Sequence, residues 1–239
     1  MLTSLVGLSA SELLSLEVGD VSWRLGEDEI LHVFNRLDGF WSYKDGNPYH
    51  AELKSGKCSN GFFYSKIVLQ YDNLCQIIAN QLALRFLQTG FQKPDVIYGI
   101  PNGAKELGDY VADALKVRRG TMAKVQGDKL AFVDLPMPGE SVLFVEDFCT
   151  RATAFRQAEE LLLKAEPQAD ILPFELVILN RGGMKVVETE QAKYGISALV
   201  EHRIDDFEPG EKTCKMCAAG SRPIKPKANE ENWRLINQV

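Results

Sequence analysis

An α/β domain built on a central parallel sheet is the architecture this sequence predicts, and two observations carry it. Short apolar, β-rich runs recur at DVIYGI (95–100), VLFVED (142–147), ELVILN (175–180) and ISALVEH (196–202). Helix-period stretches separate the earlier runs, and strands alternating with helices indicate parallel crossovers.

Taken in order, Leu5, Leu8, Leu13 and Leu14 share one helical face, so the span 5–17 reads as a short helix of an N-terminal extension. Residues 28–70 read as short strands and turns. From Tyr71 the period becomes helical through Leu74, Ile77, Ile78, Leu82, Leu84 and Phe86, and Gly90 ends that helix. After the strand 95–100 a second helix runs from Ala104 to Leu115, with Leu107, Val111, Ala114 and Leu115 at helical spacing. After the strand 142–147 a third starts near Thr153, aligning Phe155, Ala158, Leu162 and Ala165. There is no internal repeat, and no linker divides the first two hundred residues; the reading is one folded domain with extensions at both ends. Ligands of such sheets bind at the carboxyl ends of the strands, which directs attention to the residues just after 100, 147 and 180.

Composition narrows the function. The 239 residues are 45% hydrophobic, enough for a full core. With 27 basic against 33 acidic residues the net charge is -6, the wrong sign for a protein bound to nucleic-acid phosphates or anionic lipid. A small-molecule partner is favoured. The first twenty residues contain no basic residue and are interrupted by Glu12 and Glu17, unlike a signal peptide. Apolar runs fall far short of the roughly 20 residues of a membrane span. Five scattered cysteines point to thiols in a reducing cytoplasm.

The strand VLFV runs into Glu146 and Asp147, then the turn Cys149-Thr150-Arg151-Ala152-Thr153-Ala154, then a helix. Adjacent carboxylates at a strand end accept hydrogen bonds from vicinal hydroxyls, as on a ribose. A tight turn entering a helix offers backbone N–H groups and the positive dipole end to a phosphate. Taken singly, these are ordinary strand-end charges, with Thr153 as a helix cap. Together they resemble the phosphoribosyl-diphosphate motif of the type I phosphoribosyltransferases. In that family the acidic pair binds the ribose hydroxyls and the turn holds the 5-phosphate. Here Arg151 and Ala152 stand where small residues, usually including glycine, are common; Ala152 is accommodated if its φ stays negative.

The segment Ser55-Gly56-Lys57-Cys58-Ser59-Asn60-Gly61-Phe62-Phe63-Tyr64 resembles the orotate branch, where a serine-glycine-basic triplet and paired aromatics lie close to the base. A flat anionic pyrimidine needs a stacking face and cationic donors, which Lys57, Phe62 and Phe63 offer; core packing is the plainer role for the two phenylalanines. Arg156, on the first turn after the phosphate loop, matches an arginine that faces the substrate carboxylate in orotate enzymes. Pro101, Asn102, Gly103, Ala104 and Lys105 fall where the family's pyrophosphate loop lies, with Gly103 allowing close backbone approach and Lys105 a contact or a surface lysine. The segment from Arg118 to Lys124 resembles the strand into the family's mobile loop, continuing through Gln126, Gly127, Asp128 and Lys129. Lys124 and Lys129 are the two candidates for its catalytic lysine, which commonly reaches the neighbouring subunit's site. Arg181 is taken as structural.

This resemblance spans about residues 50–205. It implies a type I phosphoribosyltransferase fold with a central parallel sheet flanked by helices and a small N-terminal hood. The expected division is an extension and hood with the base-binding segment over 1–70, a core over 71–205 and a tail over 206–239. The implied reaction is transfer of phosphoribose from phosphoribosyl diphosphate to orotate, with Mg2+ as cofactor and a homodimer as the assembly. The alternatives are a phosphoribosyltransferase for another base and a catalytically inactive phosphoribosyl-diphosphate-binding regulatory protein. No metal ligand set is assigned: Cys214-Lys215-Met216-Cys217 supplies two sulfurs where structural zinc needs four ligands, and Cys58, Cys75 and Cys149 are not spaced as a second knuckle, so the tail reads as a free-thiol turn. No histidine is placed to activate Cys149 as a nucleophile, and neither GxxxxGK[ST] nor GxGxxG occurs.

Overall fold

The computed structural model describes residues 2–126 and 129–237. The N-terminal part holds helices α1 (Ala10–Leu14) and α2 (Glu27–Arg36) and strands β1 (Phe40–Ser42), β2 (Tyr49–Glu52), β3 (Cys58–Ser59) and β4 (Gly61–Phe63). Next come α3 (Lys66–Leu69), α4 (Asp72–Leu87), β5 (Val96–Gly99), α5 (Lys105–Leu115), β6 (Arg118–Gly120), β7 (Met122–Val125) and β8 (Lys129–Phe132). Then follow β9 (Ser141–Cys149), α6 (Thr153–Ala165), β10 (Asp170–Ile171), β11 (Phe174–Asn180), β12 (Val186–Glu188) and β13 (Lys193–Glu201). The tail contributes β14 (Asp206–Phe207), α7 (Lys215–Ala218), β15 (Arg222–Ile224) and α8 (Glu230–Asn237).

The central sheet runs β12-β13-β11-β9-β5-β6, with β10 beside the start of β9. Its strands are parallel except the edge strand β12. The parallel strands thus take the spatial order second, first, third, fourth, fifth, and the order reverses between β5 and β9. That reversal is the switch point where open α/β sheets bind ligands. One face of the sheet is covered by α4 and α5 through Ile78, Leu82, Phe86, Leu107 and Val111; Phe155 and Leu162 of α6 cover the other.

A smaller sheet, β14-β3-β2-β15, sits apart, and both chain ends build it. β2 pairs with β3 antiparallel and with β15 in parallel, Tyr49 facing Arg222. The pairing brings Cys214 and Cys217 against Cys58 of β3 and His50 of β2. The sequence-based separation of the CxxC pair from Cys58 therefore does not hold in space.

Three local expectations also change. The leucine face of 5–17 is not one helix: Gly7 turns the chain at φ 98, and α1 starts only after Ser9 caps it reciprocally with Glu12. Residues 27–36 form α2 rather than strands. Ile30, Val33 and Phe34 are its buried face, and Glu29 reaches back to accept from the Gly26 and Leu5 N–H groups at 2.9 Å each. Strand β9 continues past the acidic pair to Cys149, so the turn before α6 is only Thr150, Arg151 and Ala152. Among the described residues no helix is long and apolar enough to cross a membrane.

Candidate active site

The Ile100 N–H donates to the Val145 carbonyl at 2.8 Å, so the loop leaving β5 lies beside the acidic pair near the end of β9. A cavity of about 1450 Å³ opens there. Pro101, Asn102 and Gly103 line it with Glu146, Asp147 and Ala154. The β7–β8 hairpin adds Lys124 and Lys129, and the tail adds Lys227. Anionic and cationic walls thus face each other across a space fit for a charged metabolite. Gly127 and Asp128 lie outside the described residues.

Asp147 is held firmly. One carboxylate oxygen accepts from the Ser65 hydroxyl, the other from the Phe148 N–H at 3.0 Å. Burial pushes its pKa up, opposed by Ser65 and by the charge of Lys227. Gly103 explains how the carboxylate fits, because a Cβ at that position would overlap it. Glu146 is pushed well up, first by burial and then by the carboxyl of Glu175. Glu175, fully buried on β11, is itself raised by burial, and its carboxyl meets that of Glu146 with no donor from another residue. The two glutamates therefore favour holding a proton between them.

This sets a pH test. A carboxyl whose folded pKa is raised lends stability in acid and loses it as pH rises through the folded value. Glu175→Gln is expected to be more stable than wild type by ~1–3 kcal/mol near pH 8, the gap closing near pH 4. Urea unfolding across that range measures it; a gap independent of pH would remove the charge explanation.

The turn between β9 and α6 has an unexpected backbone. Ala152 lies in the left-handed region at φ 50, not at the negative φ its side chain prefers, at a typical cost of about 1–2 kcal/mol. The bend swings the chain from β9 into α6, and no side chain caps the helix. Its first N–H groups remain available to an anion. Gly182 packs so closely under the turn that a Cβ there would overlap the Thr150 carbonyl.

Several sequence candidates stand outside the cavity lining. Lys57 pairs with Asp206 at 3.6 Å and Glu208 at 3.1 Å, because β3 and β14 bring those acids beside it. Arg151 also meets Asp206, at 3.6 Å. Arg156 donates to the Arg151 carbonyl at 2.9 Å and to the Glu188 backbone carbonyl at 3.3 Å, bracing the turn. Phe62 and Phe63 point to opposite faces of β4, as strand alternation requires. Phe63 is core, 4.5 Å from the Phe34 ring, and Phe62 lies against Trp233 at 5.8 Å. Cys149 is buried and its thiol is pushed up to about 12 by burial and the nearby glutamates, unsuited to nucleophilic attack. Lys105 and Thr153 are exposed beside the site.

Sequence reasoning missed Ser65, Tyr64, Glu175 and Lys227. The Lys227 ammonium stands 4.5 Å from the Tyr64 ring centre and 5.6 Å from that of Phe62, a cation over aromatic faces. It keeps access to solvent, yet the protein around it lowers its pKa, Asp147 opposing the shift. Its only sequence signal was a basic run in the tail, with nothing to show where the tail returns.

The sheet order, the acidic pair at the switch point and the uncapped helix behind it define a type I phosphoribosyltransferase fold. Solved structures agree: orotate phosphoribosyltransferase from Aeropyrum pernix superposes with a TM-score of 0.53 at 16% identity, over 72% of this chain and 93% of that one. The Mycobacterium tuberculosis enzyme in complex with inorganic phosphate gives 0.52 at 16% identity, over 73% and 95%. No protein-family model matches the chain. In sequence it is 30% identical over 199 residues to orotate phosphoribosyltransferase of Caldicellulosiruptor bescii, covering 79% of this chain and 95% of that protein. The chain belongs to the orotate phosphoribosyltransferase family.

Proposed function

We propose that this protein transfers phosphoribose from phosphoribosyl diphosphate to a ring nitrogen of orotate, giving orotidine 5'-monophosphate and diphosphate. The observation that carries the reading is the acidic pair at the switch point, facing lysines across one cavity, in a chain of this family. The new bond forms between the orotate nitrogen and the sugar's anomeric carbon; the bond from that carbon to the diphosphate breaks, and diphosphate leaves with its electron pair.

Glu146 and Asp147 hold the ribose hydroxyls, and the first turn of α6 receives the 5-phosphate. Lys124 and Lys129 neutralise the diphosphate as charge grows on it. Lys227, on the aromatic wall beside Tyr64, offers a cation to the diphosphate or to the orotate carboxylate. Closure of the β7–β8 hairpin excludes water that would hydrolyse the activated sugar.

Mg2+ is part of the proposal, and the donor set fits it. The pair offers only oxygen, and burial, which raises both carboxyl pKa values, leaves charge that a cation or a diol would stabilise. When bound, the ion would be held by Glu146 and Asp147 and would supply positive charge that neutralises the departing diphosphate. A cytoplasmic homodimer belongs to the same reading, supported by five cysteines in the reduced state and by exposed Val133, Leu135 and Met137 after the hairpin.

Orotate consumption in the presence of Mg2+ and phosphoribosyl diphosphate tests the activity. Binding without turnover would instead support an inactive binding protein, and turnover with another base a different specificity. Lys124→Ala and Lys129→Ala are each expected to lower kcat by about 10–100-fold. Both lysines line the cavity of their own chain, so mixing either variant with Asp147→Asn protein should restore no activity. Recovery in the mixture would assign the lysine to the neighbouring subunit.

A further inference from the structure

The geometry points to a second site, a structural zinc centre of three cysteines and one histidine that fastens the tail to the hood. Neither the proposed transfer reaction nor its magnesium uses it.

His50 and Cys58 project from one face of the β2–β3 pair, two residues off direct register: Ala51 faces Ser59, and Glu52 faces Cys58. Cys214 precedes α7 and Cys217 lies within it. After that one turn the Gly220 N–H donates to the Cys217 carbonyl at 2.9 Å, and Gly220 reverses the chain at φ 82. Four donor atoms from segments about 160 residues apart in sequence thereby converge within 4.8 Å of one another.

The spacings match a tetrahedral ion. Cys58 Sγ is 3.8 Å from Cys217 Sγ; His50 Nε2 is 3.7 Å from Cys217 Sγ and 4.0 Å from Cys214 Sγ. Zinc bonds of about 2.3 Å to sulfur and about 2.0 Å to nitrogen give tetrahedral edges of roughly 3.8 and 3.5 Å. The second shell fits too. His50 Nδ1 lies 3.0 Å from the buried Ser221 hydroxyl, and an N–H donated there leaves the Nε2 lone pair facing the sulfurs.

Ligand type selects the metal and its role. Three soft sulfurs and an imidazole suit zinc and not magnesium or calcium. Four protein ligands leave no open position, and His50, Cys58 and Cys214 are buried with only Cys217 partly exposed, so the centre is structural rather than catalytic. On binding, the three thiols release their protons to solvent and the neutral imidazole releases none. The tail needs such a fastening. Its β14, α7 and β15 have two, four and three residues, too short to stand alone. Lys227 and Trp233 follow directly.

Elemental analysis of the full-length protein, purified with reductant and without chelator, tests the proposal. About one zinc per chain is expected. Cys214→Ser and His50→Ala should lose it, whereas Cys75→Ser should keep it. Protein stripped with a chelator and reloaded with cobalt should show thiolate-to-cobalt charge-transfer absorption, a readout that does not depend on a variant folding. Metal-free protein that takes up neither zinc nor cobalt, with all five thiols titrating freely or with a disulfide in their place, overturns the assignment.

Discussion

Asp147→Asn is expected to lower kcat/KM for phosphoribosyl diphosphate by about 100–1000-fold while leaving the fold at least as stable. The two effects have one cause. The carboxylate sits where burial raises its pKa, so keeping it ionised costs folding free energy. Asparagine keeps the shape, its amide oxygen accepting from the Phe148 N–H and its NH2 donating to the Ser65 hydroxyl, but it brings no charge for the sugar hydroxyls or a cation. Steady-state kinetics paired with thermal melts separate the outcomes. Activity retained would remove Asp147 from the chemistry, and activity lost only together with the melt would make it a folding residue.

Gly103→Ala is expected to cost about 100-fold in kcat/KM without altering any functional side chain. The added methyl would occupy the volume of the Asp147 carboxylate, which must then turn away from Ser65. In the unbound protein the displaced carboxylate gains solvent, so the melting temperature should move little. The residue is thus required for two close approaches, to the diphosphate by the sequence-based expectation and to Asp147 by the structure. A variant with full activity would show that the carboxylate's position is not critical.

What the sequence disclosed follows from the range of the interactions involved. The parallel strands were legible because burial on both faces leaves uninterrupted apolar runs, as in Leu176, Val177, Ile178 and Leu179. The acidic pair and the turn behind it are contiguous, so their chemistry could be read locally. Helix α2 was missed although Glu27, Asp28 and Glu29 crowd its first turn, a recognised start signal, because Gly26 gave no side-chain cap. Lys57 and Arg156 were assigned by spacing along the chain, while their partners, Asp206 and Glu188, arrive from segments more than thirty residues distant. Lys227 and the pairing of His50 and Cys58 with the tail depend wholly on the contact between β2 and β15, which no local periodicity records. Ser65 was invisible for the same reason, lying 82 residues before its partner.

The pairing of Tyr49 with Arg222 also bears on how the molecule is made. During vectorial synthesis the central sheet can assemble once β13 has emerged, but β2 and β3 must wait for strands still inside the ribosome. Their unpaired edges are then open to other nascent chains, a known route to aggregation. Assembly order therefore runs from the central sheet outward to the hood.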